Sequence, residues 1–86
     1  MIAMYFVYIL KSVGRESFYI GVSRDTSKRL AEHNRGCAKS TKPYRPWQLV
    51  YTEKFESKTE VYKREFYLKH PQGYREKRKI IDSLKT

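Results

Sequence analysis

Two short stretches near the start of the chain, Tyr5-Phe6-Val7-Tyr8-Ile9-Leu10 and Phe18-Tyr19-Ile20-Gly21-Val22, are continuously apolar and rich in β-branched and aromatic residues. Runs this short, bounded by Gly14 and charged residues on one side and by Ser23-Arg24-Asp25 on the other, read as buried strands. So close together in the chain, they form a hairpin. With Val13-Gly14 as a two-residue turn, Ser12 faces Arg15 and Tyr8 lies opposite Tyr19, both tyrosines on one face.

Asp25 is placed to cap a helix that runs to about Arg35, with Gly36 as its stop. Arg29 and His33, four apart, then share a face of it. From Asn34 to Thr52 there is no acidic residue, and Arg35, Lys39, Lys42 and Arg45 are interleaved with Pro43, Tyr44, Pro46 and Trp47. This is a basic loop with aromatic punctuation, leading into a third strand from Gln48 to Phe55. Ser57-Lys58-Thr59-Glu60 has the form of a capping box and opens a helix to about Lys69, before Pro71. On a helical wheel Val61, Tyr62, Phe66 and Leu68 define its apolar arc, and Glu65 falls inside that arc. The ordinary explanation for such a glutamate is an ion pair with Lys69, and its wheel position argues against that. After Pro71-Gln72-Gly73, the apolar Tyr74, Ile81 and Leu84 recur at helical spacing among Arg75, Lys77, Arg78 and Lys79. That is a last, basic, amphipathic helix. The order β-β-α-β-α-α predicts an α+β fold, a small three-stranded antiparallel sheet flanked by helices, in a single domain spanning residues 1–86.

The 86 residues leave no room for a second core. Aromatics at 15% supply too much apolar surface for a disordered segment. Lys and Arg number 19 against 9 Asp and Glu, a formal charge of +10, which on so short a chain marks a polyanion as the partner, nucleic acid before an anionic membrane surface. One cysteine, Cys37, forms no internal disulfide and lacks metal-site spacing, so a reducing compartment, the cytoplasm, is expected. No apolar run approaches the roughly 18 residues of a membrane helix. The stretch Met1 to Leu10 has neither a basic start nor a small-residue cleavage site and reads as structure.

Hydrolysis of a phosphodiester needs a nucleophile or its base, a cation at the phosphate, a divalent metal and an anionic ligand for that metal. Tyr8, Tyr19, Arg29, His33 and Glu65 are candidates for these tasks, and each singly has an ordinary reading. A strand tyrosine is usually core, a helical arginine usually solvated, and a histidine late in a helix gains from the macrodipole as a cation.

Their combined spacing is more specific. Phe6-Val7-Tyr8, then Tyr19-Ile20-Gly21, Arg29, His33 and, on a later helix, Glu65, resembles the GIY-YIG nuclease superfamily. The segments Gly36 to Lys39, Arg45 to Tyr51 and Lys63-Arg64-Glu65 are similar to its small stand-alone bacterial members. The first motif departs from the family pattern, with Phe6-Val7 where the name has Gly-Ile, but the tyrosine is kept. The resemblance implies that Tyr8 and Tyr19 are the motif tyrosines, one of them orienting or deprotonating water. It also implies that Arg29 stabilises charge on the phosphate, that His33 assists proton transfer or positions a tyrosine, and that Glu65 holds a single Mg²⁺ or Mn²⁺. The implied activity is a metal-dependent DNA endonuclease, structure-selective in repair or recombination. Arg24, Lys28, Arg35, Lys39, Lys42 and Arg45 are then expected to contact the nucleic acid, phosphates first. Two other classes stand beside it: an inactive nucleic-acid-binding adaptor and a basic protein of a ribonucleoprotein. A homodimer and a directing protein partner are both left open by the sequence.

Overall fold

The computed structural model describes residues 3–84; Met1, Ile2, Lys85 and Thr86, the ends of the expected domain and the first two residues of the Met1 to Leu10 segment read as structure, lie outside the described residues. Three strands, β1 (Tyr5–Ser12), β2 (Phe18–Ser23) and β3 (Trp47–Phe55), form one antiparallel sheet in the order β2-β1-β3. Helix α1 (Thr26–Arg35) follows β2, and α2 (Lys58–Lys69) and α3 (Tyr74–Ser83) follow β3. The expected α+β order is the observed one.

The hairpin register differs from the expected one by two residues. Leu10 pairs with Tyr19 and Tyr8 with Gly21, and the turn closes through a 2.9 Å bond from the Ser12 amide to the Ser17 carbonyl. A two-residue turn at Val13-Gly14 would place Val13 in a left-handed conformation that a β-branched residue resists. Gly36 is the one glycine with a positive φ among the described residues, and the Val13 amide donates instead to the Pro46 carbonyl at 2.9 Å. A slip of two preserves side-chain parity, so Tyr8 and Tyr19 do share a face.

Central strand β1 is buried on both faces, which explains its unbroken apolar run. Val7 and Ile9, with Ile20, pack against Val61, Leu68 and Ile80 of α2 and α3. On the opposite face Tyr8, Leu10 and Trp47 pack with Tyr19, Leu30, Tyr44 and Leu49 under α1 and the basic loop. A bulge serves both layers: Ile9 pairs with Tyr51 but Leu10 with Leu49, and the skipped Val50 lets Tyr51 and Leu49 join opposite cores.

The caps hold the helices where the sequence placed them. Asp25 Oδ1 accepts from the Lys28 amide at 3.0 Å, Gly36 ends α1 at φ 84°, and Ser57 Oγ accepts from the Glu60 amide at 3.2 Å. The apolar face of α2 is narrower than expected. Val61 and Leu68 are fully buried, whereas Tyr62 and Phe66 are 48% and 59% exposed. Residues 61 and 68 are seven apart, so the contact stripe runs through Arg64 and Glu65 and leaves Tyr62 and Phe66 on its flank. Helix α3 likewise buries Ile80 and Ile81, while Tyr74 and Leu84 point outward.

Arg64 makes the stripe tolerable. Its guanidinium donates to both Glu53 oxygens at 2.8 and 2.9 Å and to Glu76 at 3.0 Å, tying α2 to β3 and α3. Burial raises the Glu53 carboxyl, but Arg64 and the Tyr51 hydroxyl outweigh it and hold the group below its ordinary range. Burial beside Glu53 pushes the Tyr51 hydroxyl up to about 12. Among the described residues no helix is long and apolar enough to cross a membrane.

Leu68, fully buried, packs α2 into the core against the sheet. Leu68→Ala is expected to cost about 2–5 kcal/mol by leaving a cavity. In urea denaturation this reads as a lower midpoint with an unchanged slope.

Candidate active site

The face under α1 is organised by a missing side chain. A Cβ on Gly21 would stand 2.5 Å from the Tyr8 hydroxyl oxygen and 2.6 Å from Cζ, so only glycine lets the Tyr8 ring lie across β2. The ring is 1% exposed and its hydroxyl reaches inward to α1, 3.1 Å from His33 Nε2.

His33 is wholly buried, and its two nitrogens have distinct partners. Thr41 donates its hydroxyl proton to the Ala38 carbonyl at 3.3 Å, so its oxygen accepts from His33 Nδ1–H at 2.8 Å. Nε2 is then unprotonated and accepts from the Tyr8 hydroxyl. The relay therefore runs Tyr8 to His33 to Thr41 to a backbone carbonyl. Thr41 is fixed in turn by Trp47, whose indole N–H donates to the Thr41 carbonyl at 2.9 Å. Asn34 clamps Trp47 by accepting from its amide at 2.6 Å and donating to its carbonyl at 3.0 Å.

Burial shifts both members of the pair against ionisation. It lowers His33, and the Arg29 charge lowers it further. It raises Tyr8, partly offset by the neighbouring Arg29 guanidinium. The macrodipole reading of His33 as a helix-end cation is thus overturned: burial favours the neutral ring. Arg29 itself is raised, first by Tyr8 and then by Glu32, to which its Nη1 donates at 3.1 Å. Its side chain remains 37% exposed, so one side of the guanidinium faces solvent.

Tyr19 stands beside this pair, its ring centroid 4.9 Å from that of His33 and 6.3 Å from that of Tyr8. From α2, the Lys69 ammonium lies 5.7 Å from the centre of the Tyr19 ring and 3.3 Å from Glu65 Oε2. The Glu65–Lys69 ion pair that the wheel argued against does form. Glu65 is nevertheless only 20% exposed, and its charge acts on Tyr8, raising that hydroxyl. Tyr8, Tyr19, Arg29, His33 and Glu65, distant in sequence, are neighbours.

Arg24, Lys28, Arg35, Lys39, Lys42 and Arg45 are all exposed. Two of them have local work: the Arg24 guanidinium lies 5.7 Å from the Tyr5 ring centre, and Arg45 donates to the Lys42 carbonyl at 2.9 Å, bracing the loop. Sequence reasoning missed Thr41, Asn34 and Lys69. Nothing in the pattern of the loop separates Thr41 from Ser40; Lys69 was visible as the partner of Glu65, but not as a neighbour of Tyr19.

Paired strand tyrosines against a helical arginine and histidine, with a glutamate from a second helix, define a GIY-YIG type of catalytic domain. The family described as the GIY-YIG catalytic domain matches residues 4–79. Relatives in the bacterial group called UPF0213 extend the match. One from Clostridium perfringens is 48% identical over 67 residues, 77% of this chain and 71% of the relative. One from Staphylococcus aureus is 47% identical over 66 residues, 76% and 79% of the two chains. The solution NMR structure of a UPF0213 protein from Bacillus halodurans, 36% identical, superposes with a TM-score of 0.54 over 95% of this chain and 85% of that one. The chain belongs to the GIY-YIG superfamily, within its small UPF0213 group.

Two measurements check the site. Gly21→Ala is expected to cost about 1–3 kcal/mol through overpacking against Tyr8, read as a lower urea midpoint. An unchanged midpoint would mean that the ring does not rest on Gly21. Because His33 binds its proton less well folded than unfolded, its contribution is full above about pH 6.5 and is lost as pH falls from there through the folded-state value. The urea midpoint should drop as pH falls below about 6.5, and His33→Asn should flatten that dependence.

Proposed function

We propose that this protein is a divalent-metal-dependent DNA endonuclease in which Tyr8, Tyr19, Arg29, His33 and Glu65 form the reaction centre. The observation that carries the reading is the buried Tyr8 hydroxyl held on a neutral, tautomer-fixed His33 beside Arg29. Burial makes a free phenolate at Tyr8 unfavourable, so proton transfer is concerted. As water attacks phosphorus and the phosphorus–oxygen ester bond breaks, Tyr8 takes the water proton while passing its own to His33 Nε2. Departure of the sugar oxygen requires a proton, which solvent supplies. Arg29, partly open to solvent, offers a fork that matches the phosphate oxygens where negative charge accumulates. Tyr19 closes the side of the site that faces α2 and orients the water.

Among the described residues no cluster of three or more His, Cys, Asp or Glu side chains converges as a metal cage. The single Glu65 carboxylate suits a hard cation, Mg²⁺ or Mn²⁺, that keeps its waters and is completed by substrate phosphate. Bound there, such an ion would neutralise developing phosphate charge. Lys69 has to yield Glu65 to it, so metal affinity without DNA is low. The exposed residues Arg24, Lys28, Arg35, Lys39, Lys42 and Arg45 track phosphates and position the duplex. The exposed free thiol of Cys37 fits the reducing cytoplasm.

The test is cutting of labelled plain, nicked, flapped and branched DNA with Mg²⁺, with Mn²⁺ and with chelator. Metal-dependent product is expected, with kcat reduced about 10²–10³-fold in Arg29→Ala and in Tyr8→Phe. Glu65→Ala should remove the metal stimulation. A folded protein that binds DNA but cuts none of the panel in any metal overturns this reading in favour of an adaptor.

A further inference from the structure

The helices α2 and α3 meet at Pro71, and the junction leaves a cleft of about 490 Å³ lined by Lys69, His70, Pro71, Tyr74 and Lys77. Its lining offers two rings, His70 and Tyr74, beside two lysine side chains. The His70 imidazole is stacked on Phe66 at 3.7 Å between centroids and 19° between planes. Its Nδ1 is 2.6 Å from the Phe66 carbonyl, which can only accept, so Nδ1 carries a proton and the ring is pinned. Tyr74 is 58% exposed and Phe66 59%, on a fold whose helices already bury Val61, Leu68, Ile80 and Ile81. Neither ring is needed to fill the core, and large apolar surface left in water needs a reason.

The cleft is continuous with the reaction centre through one residue. Lys69, on its wall, is the same side chain that reaches Glu65 at 3.3 Å and lies 5.7 Å from the Tyr19 ring centre. A strand whose phosphate sits at Arg29 and Glu65 would therefore meet the cleft within its adjoining nucleotides. Aromatic faces beside cations are what an unstacked base with its phosphate requires, whereas a paired base in duplex offers no free face.

We infer that this cleft takes an unpaired nucleobase of the DNA strand engaged at the active site, and so selects substrates with a single-stranded segment beside the scissile phosphate. The inference rests on the proposed DNA activity but not on turnover. Lys69 and Lys77 hold the flanking phosphates while Tyr74 and the Phe66–His70 stack sandwich the base. The named phosphate contacts expected from the sequence lie on the opposite layer, at α1 and the basic loop, with the basic last helix expected to track phosphates beside the cleft, so the two surfaces divide the labour: one tracks duplex, the other reads its opening.

The experiment is done in chelator, so that binding is read without cutting. Affinity is measured for a plain duplex and for a flapped duplex of equal charge carrying, at its first unpaired position, a fluorescent purine analogue that is quenched by stacking. The protein should bind the flap about tenfold or more tighter than the duplex and quench the analogue. Tyr74→Ala should remove both the preference and the quenching while leaving duplex affinity unchanged, and Tyr74→Phe should keep both. Three results would overturn the inference: no preference, equal weakening of flap and duplex by Tyr74→Ala, or a dimer that Tyr74→Ala dissociates without changing flap binding. The last would make the cleft a contact between copies. Selective flap binding in a protein that cuts none of the DNA panel would uphold the cleft and refute the nuclease reading alone.

Discussion

The hydrogen bond from Tyr8 to His33 crosses from the central strand to α1 inside the core, at 3.1 Å, and both side chains are at most 1% exposed. Two buried polar groups left without partners would each cost about 1–3 kcal/mol, so every group that keeps them aligned contributes to folding as well as to geometry. Gly21 supplies space for the ring, Thr41 supplies the acceptor for the far nitrogen, and Trp47 and Asn34 hold Thr41 in place. None of the buried side-chain polar atoms among the described residues lacks a partner, so the relay is closed at its far end. The basic loop, which composition presents as a ligand surface, is on its inner side a support for this bond.

Burial has a chemical consequence that a solvated pair would not have. It raises Tyr8 and lowers His33, so the proton rests on oxygen and the imidazole remains an acceptor. Arg29 opposes the first shift and reinforces the second. A single guanidinium thus eases loss of the hydroxyl proton while holding the ring neutral. The Arg29 side chain nonetheless stays partly open to solvent.

The elements were legible because they are local. Asp25, Gly36, Ser57 and Pro71 act on their own turns, and each bounds its helix as its chemistry requires. The residues of the candidate site were legible as neighbours only through the spacing of the motif, since no periodicity links Tyr8 to Glu65. What failed depended on other elements. The hairpin register was set by Pro46, which claims the Val13 amide from across the sheet. Tyr62, Phe66 and Tyr74 look like core on a wheel, yet ion-paired Arg64 and Glu65 occupy the stripe between Val61 and Leu68. Thr41 had no signal at all, because its role exists only once His33 is buried above it.

The two ion pairs on that stripe differ in a way that separates structure from chemistry. Arg64 is 23% exposed and donates three hydrogen bonds to two carboxylates on β3 and α3, a fixed and charge-assisted arrangement. Lys69 is 42% exposed and meets Glu65 through one contact of 3.3 Å on the same helix, a geometry worth at most a few tenths of a kcal/mol. Exchanging the partner of Glu53 would unpin two elements from α2; exchanging the partner of Glu65 disturbs none. Under the proposed function, Glu65 would accept a cation only while substrate is present; such a carboxylate needs a resident counter-ion that leaves readily, and a flexible lysine meets that requirement where an arginine fork would not.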